Sequence, residues 1–536
     1  MASDSLSRRG FLGLSLIAGA ELAGGRGGLW LPSRGAPAII TSSRTRPLLP
    51  SGVQTGDVTD SRAVVWSRSD RPARMQVEWS TSERFTDVRT VRGPAALESS
   101  GYTAMIDLSG LPAGEQIVYR VRFESLEMPG DWSEPLIGRF RTAPAPGAVA
   151  DRPIRLAWSG DEVGQGWGID TDRGGMRIFD AIRRAEPDVF VHSGDIIYAD
   201  QPLEAEVPLD DGTVWRNVVT EAKSKVAETL DEFRGNFAYN LDDPLTREFG
   251  ASVPLIAQWD DHEVVNNWFP GMHLTDDDRY TVKSASLLAA RARQALFEFV
   301  PMRRNPDESE RIYRSFSWGP LLDVFVLDLR SYRGPNTSGL QAEQGPETAM
   351  MGDPQMEWLK RSLRESTATW KVIACDMPIG LVVRDFPRNG EPAFEAWANA
   401  EDGAPKGREL EVAELLSWMK REGIRNTVWI TADVHYAAAH HYSPERGSFN
   451  DFDPFWEFVA GPMHAGTFGP NRLDATFGPE VRFNSVPDGF EGGRPPSDDL
   501  QFFGTLDIEP RTRALTAAIH DVTGALLWQT EIAAEG

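Results

Sequence analysis

The chain has 536 residues, 41% hydrophobic and 25% charged, with a formal net charge of −24 at neutral pH. That composition excludes a disordered chain, and the length exceeds one small core, so two or more domains are expected. The acidic balance excludes an electrostatic platform for nucleic acid or anionic membrane and leaves carboxylates able to hold hard cations.

The first residues read as an address. Ser7-Arg8-Arg9-Gly10-Phe11-Leu12 precedes a short apolar run from Leu12 to Ala20. A twin arginine before a weakly hydrophobic stretch is a Tat export signal, with the Tat machinery as partner and a periplasmic or secreted destination. The run is too short to cross a bilayer, so no transmembrane span is expected. Glu21 interrupts the small-residue tail and leaves the cleavage point open. Gly, Ser, Pro and Arg then dominate to about residue 46, so 1–46 is assigned to signal and linker.

Residues 47–143 have an all-β texture. Val64-Val65-Trp66, Met75 to Trp79 and Val118 to Phe123 alternate or run apolar between turn residues, as in a small β-sandwich. Ala143-Pro144-Ala145-Pro146-Gly147 marks a boundary.

From 150 to 536 strands alternate with helices. Strands are expected at Ile154–Trp158, Asp188–His192, Val253–Trp259, Leu321–Leu327, Trp370–Ala374, Thr427–Ile430, Leu515–Ile519 and Ala525–Trp528. Helices are expected at Met176–Arg184, Gln355–Leu363 and Leu410–Met419, with another after Val218 inside a long insertion from Gln201 to Phe249. This is the pattern of a layered α/β domain, an α/β/β/α sandwich. The one cysteine, Cys375, excludes an intramolecular disulfide and ends an apolar run, which suits a buried structural thiol better than a nucleophile.

Several of these strands end in a polar, carboxylate-bearing turn, where ligands gather in open α/β sheets. In order they are Trp158-Ser159-Gly160-Asp161, His192-Ser193-Gly194-Asp195-Ile196-Ile197-Tyr198, Trp259-Asp260-Asp261-His262-Glu263 with Asn266, and Thr431-Ala432-Asp433-Val434-His435. Asp376, directly after Cys375, is a further candidate. One such Asp is usually a turn or helix cap. Four turns in this order form a ligand set for two adjacent metals. Two cations about 3.5–4 Å apart can clamp the attacking and leaving oxygens of a phosphate ester. Asp195 is the chosen bridge between them, Tyr198 offers a phenolate suited to Fe(III), His435 an imidazole, and Asn266 and Asp433 oxygens for the second metal.

This order resembles the calcineurin-like metallophosphoesterases, and most closely the PhoD-like alkaline phosphatases. Gly52 through Trp66 is similar to the fibronectin-like domain that precedes their catalytic domain. Gly194-Asp195-Ile196-Ile197-Tyr198 and Trp259-Asp260-Asp261-His262-Glu263 are the most specific pieces. Asp328-Leu329-Arg330-Ser331-Tyr332-Arg333, Gly461 to Gly466 and Gln501 to Gly504 extend the likeness over nearly the whole chain. The resemblance implies a four-layer α/β/β/α metallophosphoesterase sandwich after a small fibronectin-like β-sandwich. It implies hydrolysis of phosphate monoesters, diesters or both, and leaves the preference between them open. It further implies Fe(III) at Asp195, Tyr198 and His435, and Ca(II) or another divalent metal on the side of Asp195, Asn266 and Asp433. Relatives can place a cysteine ligand after the first strand, where this chain has Ser159-Gly160-Asp161. Asp161 then takes that role, as in sites like those of purple acid phosphatases, and leaves the metal pair open. Asp261 and Asn266 both remain candidates for the second metal, as does Asp376.

His262 is a candidate proton donor to the leaving oxygen or phosphate binder, with a hydrogen-bonding support role as the equal alternative. Arg330 is a candidate phosphate partner in forked geometry, with a salt bridge to a neighbouring Asp or Glu slightly favoured over it. Structural roles are favoured for His440, His441 and His464. The substrate expected is a small phosphate ester, with phospholipid as a further candidate in a phospholipase D-like alternative. A non-catalytic, metal-stabilised binding module is the alternative of another class.

Overall fold

The computed structural model describes residues 44–388 and 390–535, so the Tat signal expected at 7–20 lies outside the described residues. Two large sheets face each other. One has nine strands, in the order Leu526–Ile532, Leu515–Asp521, Phe502–Ile508, Ile154–Ser159, Val189–His192, Leu255–Ala257, Val53–Gly56, Arg62–Arg68 and Thr103–Ser109. The other has seven, in the order Arg314–Trp318, Leu322–Val326, Trp370–Ala374, Thr427–Thr431, Phe455–Val459, Ala438–Tyr442 and Pro479–Asn484.

The layering follows from period-2 alternation along strands buried on both faces. Leu156 and Trp158 of one sheet meet Val372, Ala374, Val428 and Ile430 of the other in a shared apolar core. The residues between them point outward. Ala157 and Phe190 pack beneath helix Ile178–Arg184. Ile373 and Trp429 pack beneath Gly352–Glu365 and Glu409–Glu422. Helices Leu230–Asn240 and Ala285–Phe299 cover the far part of the nine-stranded sheet through Phe233, Phe237, Leu288 and Ala292 against Trp66 and Ala257. The result is the expected α/β/β/α order.

Ahead of it, Arg89–Ala96, Ala73–Ser80, Gln116–Ser125 and Leu136–Arg141 form an antiparallel four-stranded sheet. Met75, Val77, Tyr119 and Val121 pack from it onto Val53, Val65 and Ile106. These last belong to the nine-stranded sheet, where Gly56 pairs in parallel with Leu255. The β-sandwich thus lends three of its strands to the edge of the larger sheet.

Candidate metal centre

The central strands of both sheets run parallel, so their carboxyl ends open on one side. Asp161 and Asp195 follow the strands Ile154–Ser159 and Val189–His192. Asp261 and His262 follow Leu255–Ala257, and Asp433 and His435 follow Thr427–Thr431. Asp161, Asp195, Asp433 and His435 all hold positive φ, between 51° and 69°. Left-handed backbone is uncommon for side chains other than glycine, and such strain gathers at functional sites. The glycines fit the same geometry. Gly194 has φ +98°, and a Cβ there would lie 2.5 Å from Cβ of Asp260. A Cβ on Gly461 would lie 2.3 Å from Oδ2 of Asp161.

Two overlapping groups result. Asp161, Asp195 and His435 form one, and Asp195, Asp261 and His262 the other, each with ligand atoms within 4.8 Å of one another. Asp195 belongs to both. Tyr198 Oη lies 2.8 Å from His435 Nε2, and Asp161 Oδ1 lies 3.7 Å from the same nitrogen. His435 Nδ1 donates to Gly466 O at 2.6 Å, which leaves the Nε2 lone pair facing the group. Burial pulls His435 down to about 4, so its imidazole is neutral and free to ligate. Asn266 and Asp433 line the same open cavity of about 440 Å³, beside Asp195, Asp261, His262 and His435.

The electrostatics of these donors fit cations. Burial first, then the crowding of like charges, holds Asp161, Asp195 and Asp433 well above the usual carboxylate range. Burial and the same carboxylates raise the Tyr198 phenol. Oδ2 of Asp161 is buried without a hydrogen-bond partner. Asp261 differs: burial raises it, but His262, Arg330 and the Asn267 N–H outweigh that and keep it ionised. Oxygen-rich donors with one imidazole suit hard cations.

His262 is held by a residue the sequence reading did not single out. Its Nδ1 lies 2.7 Å from Oδ1 of Asp200, while Oδ2 of Asp200 accepts the Asn266 N–H at 2.9 Å. Burial lowers the His262 pKa, but Asp200, Asp261 and Asp195 together lift it well above its ordinary value. Glu263 was also missed as a brace. Its oxygens accept the Ile196 and Asp260 N–H groups at 2.7 and 2.8 Å, tying the second turn to the third. The insertion supports the Tyr198 turn: Lys223 Nζ donates to Tyr198 O at 2.8 Å, and Asn240 Nδ2 to Ile196 O at 2.6 Å. Neither signal was available from spacing, because Asp200 reads as one more polar turn residue and Glu263 as part of a ligand motif.

Arg330 takes the internal salt bridge rather than a place on the cavity wall, and Asp376 lies off the cavity lining. Arg330 has no exposed surface and does not line the cavity. Its Nε donates to Asp260 Oδ1 at 2.5 Å, its Nη1 pairs with Glu395, and Asp376 Oδ2 sits 3.6 Å from Nε. Already engaged by internal carboxylates, the guanidinium is not presented to a phosphate in the cavity. Asp376 faces this arginine, away from the cavity lining. Cys375 is buried with Sγ against Met377 O, His440 Nδ1 lies 3.0 Å from Glu457, and His464 Nε2 donates to Gly168 O.

The PhoD-like phosphatase family model matches residues 156–519, and its N-terminal domain model matches 34–144. Alkaline phosphatase D of Bacillus subtilis (strain 168) is 26% identical over 447 residues, 78% of this chain and 70% of that protein. The solved structure of PhoD aligns with a TM-score of 0.66 at 20% identity, covering 92% of this chain and 94% of that one. The purple acid phosphatase PPD1 of yellow lupin (Lupinus luteus) aligns at 0.54 and 13% identity, over 91% and 74%. With its fold matching both and its family models spanning most of its length, the chain belongs to the PhoD-like phosphatase family and is a phosphoric ester hydrolase.

Proposed function

We propose that the chain hydrolyses phosphate mono- and diesters at a dinuclear metal centre. Asp161, Asp195, Tyr198 and His435 would hold the first cation, and Asp195, Asp433 and either or both of Asp261 and Asn266 the second. The observation that carries this reading is the set of buried acidic side chains converging on Asp195 with Asp161 Oδ2 unpartnered, a concentration of negative charge that cations would stabilise. Fe(III) suits the phenolate side and Ca(II) or another divalent ion the carboxylate and amide side. Such cations would neutralise the phosphoryl group and acidify water.

The chain's own residues supply the rest. His262, charged and fixed by Asp200, can hold a proton at Nε2 for the departing alkoxide. Asn267 and Asn471 stand on the cavity wall with their amides donating to Asp385 and to Val382 O, so they brace the wall. The twin-arginine segment supports export by the Tat pathway, and no helix among the described residues is long and apolar enough to cross a membrane.

Elemental analysis of protein purified without added metal should find two equivalents of metal. Exhaustive chelation should then remove turnover of 4-nitrophenyl phosphate and bis(4-nitrophenyl) phosphate together. Full activity in the metal-free protein would refute the centre.

A further inference from the structure

Beyond the carboxylates, the cavity mouth carries an apolar feature that phosphoryl chemistry does not require. Among the described residues every Trp and Tyr is at least partly buried, and the exposed aromatic side chains are Phe386, at 78%, and Phe468, at 36%. Both line the cavity that holds Asp195, Asp261, His262 and Asp433. Scattered exposed apolar residues are ordinary on a protein surface. Two exposed rings falling on the wall of one cavity are not scatter, and apolar walls beside convergent polar groups are how small-ligand sites are built.

Each ring is held. Phe386 sits on the hairpin Arg384–Arg388 and Glu391–Phe394. The Asp385 carboxylate accepts the Phe386 N–H at 2.8 Å, the Asn267 amide at 2.9 Å and the Asn336 amide at 2.9 Å. Asn336 is gripped in turn by the buried Arg333 and Arg408. The hairpin is thereby fastened to the turn that carries Asn266 and to the interior beneath it. The Phe468 N–H donates to His435 O at 3.1 Å, and its ring stands 5.5 Å from the imidazole. A phenylalanine ring on a fastened backbone has two side-chain torsions to order and so gives contact area at modest cost in conformational entropy.

We propose that Phe386 and Phe468 bind the apolar or aromatic organic group of the substrate, so that the site selects phosphate esters of bulky apolar alcohols and phenols over small hydrophilic ones. This rests on the phosphoesterase reading given above and names its substrate class.

Two diesters with one leaving group test it: phenyl 4-nitrophenyl phosphate and methyl 4-nitrophenyl phosphate. The full metal-loaded chain should favour the phenyl ester by about tenfold in kcat/KM, carried mainly by KM. Phe386→Ala and Phe468→Ala should each pull that ratio toward unity, and Phe386→Trp should keep it. Calorimetric binding of diphenyl phosphate against dimethyl phosphate reads the same preference without turnover. Should neither ester be hydrolysed while diphenyl phosphate still binds more tightly in a Phe386-dependent way, the hydrolase reading fails and the aromatic site stands. Equal kcat/KM for the two esters in the unsubstituted chain, or a ratio that survives both alanine variants, overturns the proposal.

Discussion

Asp260 and Asp261 are neighbours in the chain, yet they enter two different buried clusters. Asp261 faces the cavity with Asp195 and Asp433, where His262 is the nearest cation and Arg330 the next to act on it. Asp260 faces the interior with Asp376 around Arg330, and Glu395, which pairs with the same guanidinium, joins the two clusters: it also lines the cavity, and Arg330 lies 3.9 Å from Asp433. Consecutive residues beyond a strand point opposite ways, so one Asp-Asp pair feeds both clusters. The clusters differ in how negative charge is made tolerable. The interior one carries its own guanidinium, and pairing of that kind holds the fold in place. In the cavity cluster His262 and Arg330 hold Asp261 ionised while burial raises Asp161, Asp195 and Asp433; burial raises Asp260, Asp376 and Glu395 too, but there the guanidinium is in direct contact.

Substitutions on either side should behave in opposite ways. The largest effect expected is that of Asp195→Asn, which removes the carboxylate shared by both groups. Metal content and turnover should fall together, turnover by at least about 10³-fold. The metal-free fold should hold or gain stability, since Asp195 is a carboxylate that burial and like charges already disfavour. Arg330→Met should do the reverse in a denaturant titration of metal-free protein. It leaves Asp260 and Glu395 buried without their cation, a loss of about 3–5 kcal/mol. If Arg330→Met folds with unchanged stability but loses metal, the interior cluster belongs to the metal site and the division between the two clusters is wrong.

The same division marks where sequence reading reached and where it stopped. Asp161, Asp195, Asp433 and His435 were legible because each closes a recognisable apolar strand in a turn, and turn position nearly fixes where the side chain goes. The parallel strands were legible for the same reason, as unbroken apolar runs. Whether Arg330 and Asp376 face the cavity or the interior depends on one peptide of rotation after the strand, which spacing does not encode. Ala438–Tyr442 and Phe455–Val459 were not anticipated, because His440 and Glu457 break their apolar pattern and become tolerable only by hydrogen-bonding to each other across the sheet. The hairpin carrying Phe386 has too few apolar positions to announce itself, and its hold depends on Asn267 and Asn336, far away in the chain.

A third way of burying a polar pair is to keep it uncharged, and it gives the smallest of the expected effects. His192 and Glu162 lie 3.5 Å apart against Phe179, Phe237 and Phe249, with no arginine lining that pocket. Burial pushes His192 down to about 3 and raises Glu162 well above the carboxylate range. An unfolded histidine takes its proton near pH 6.5, so above that pH folding costs nothing on this account. As pH falls through the window from about 6.5 to 3, the unfolded chain binds a proton the folded chain refuses, and stability drops. At pH 5 the loss from His192 is about 2 kcal/mol relative to pH 8. His192→Asn removes that proton site while Glu162 stays in both chains. Urea midpoints of metal-free protein from pH 8 to 5 should therefore fall less steeply in the variant, by about that amount. Parallel slopes would mean that His192 takes up its proton inside the fold. The pair would then be an ion pair, and of the same kind as the cluster around Arg330.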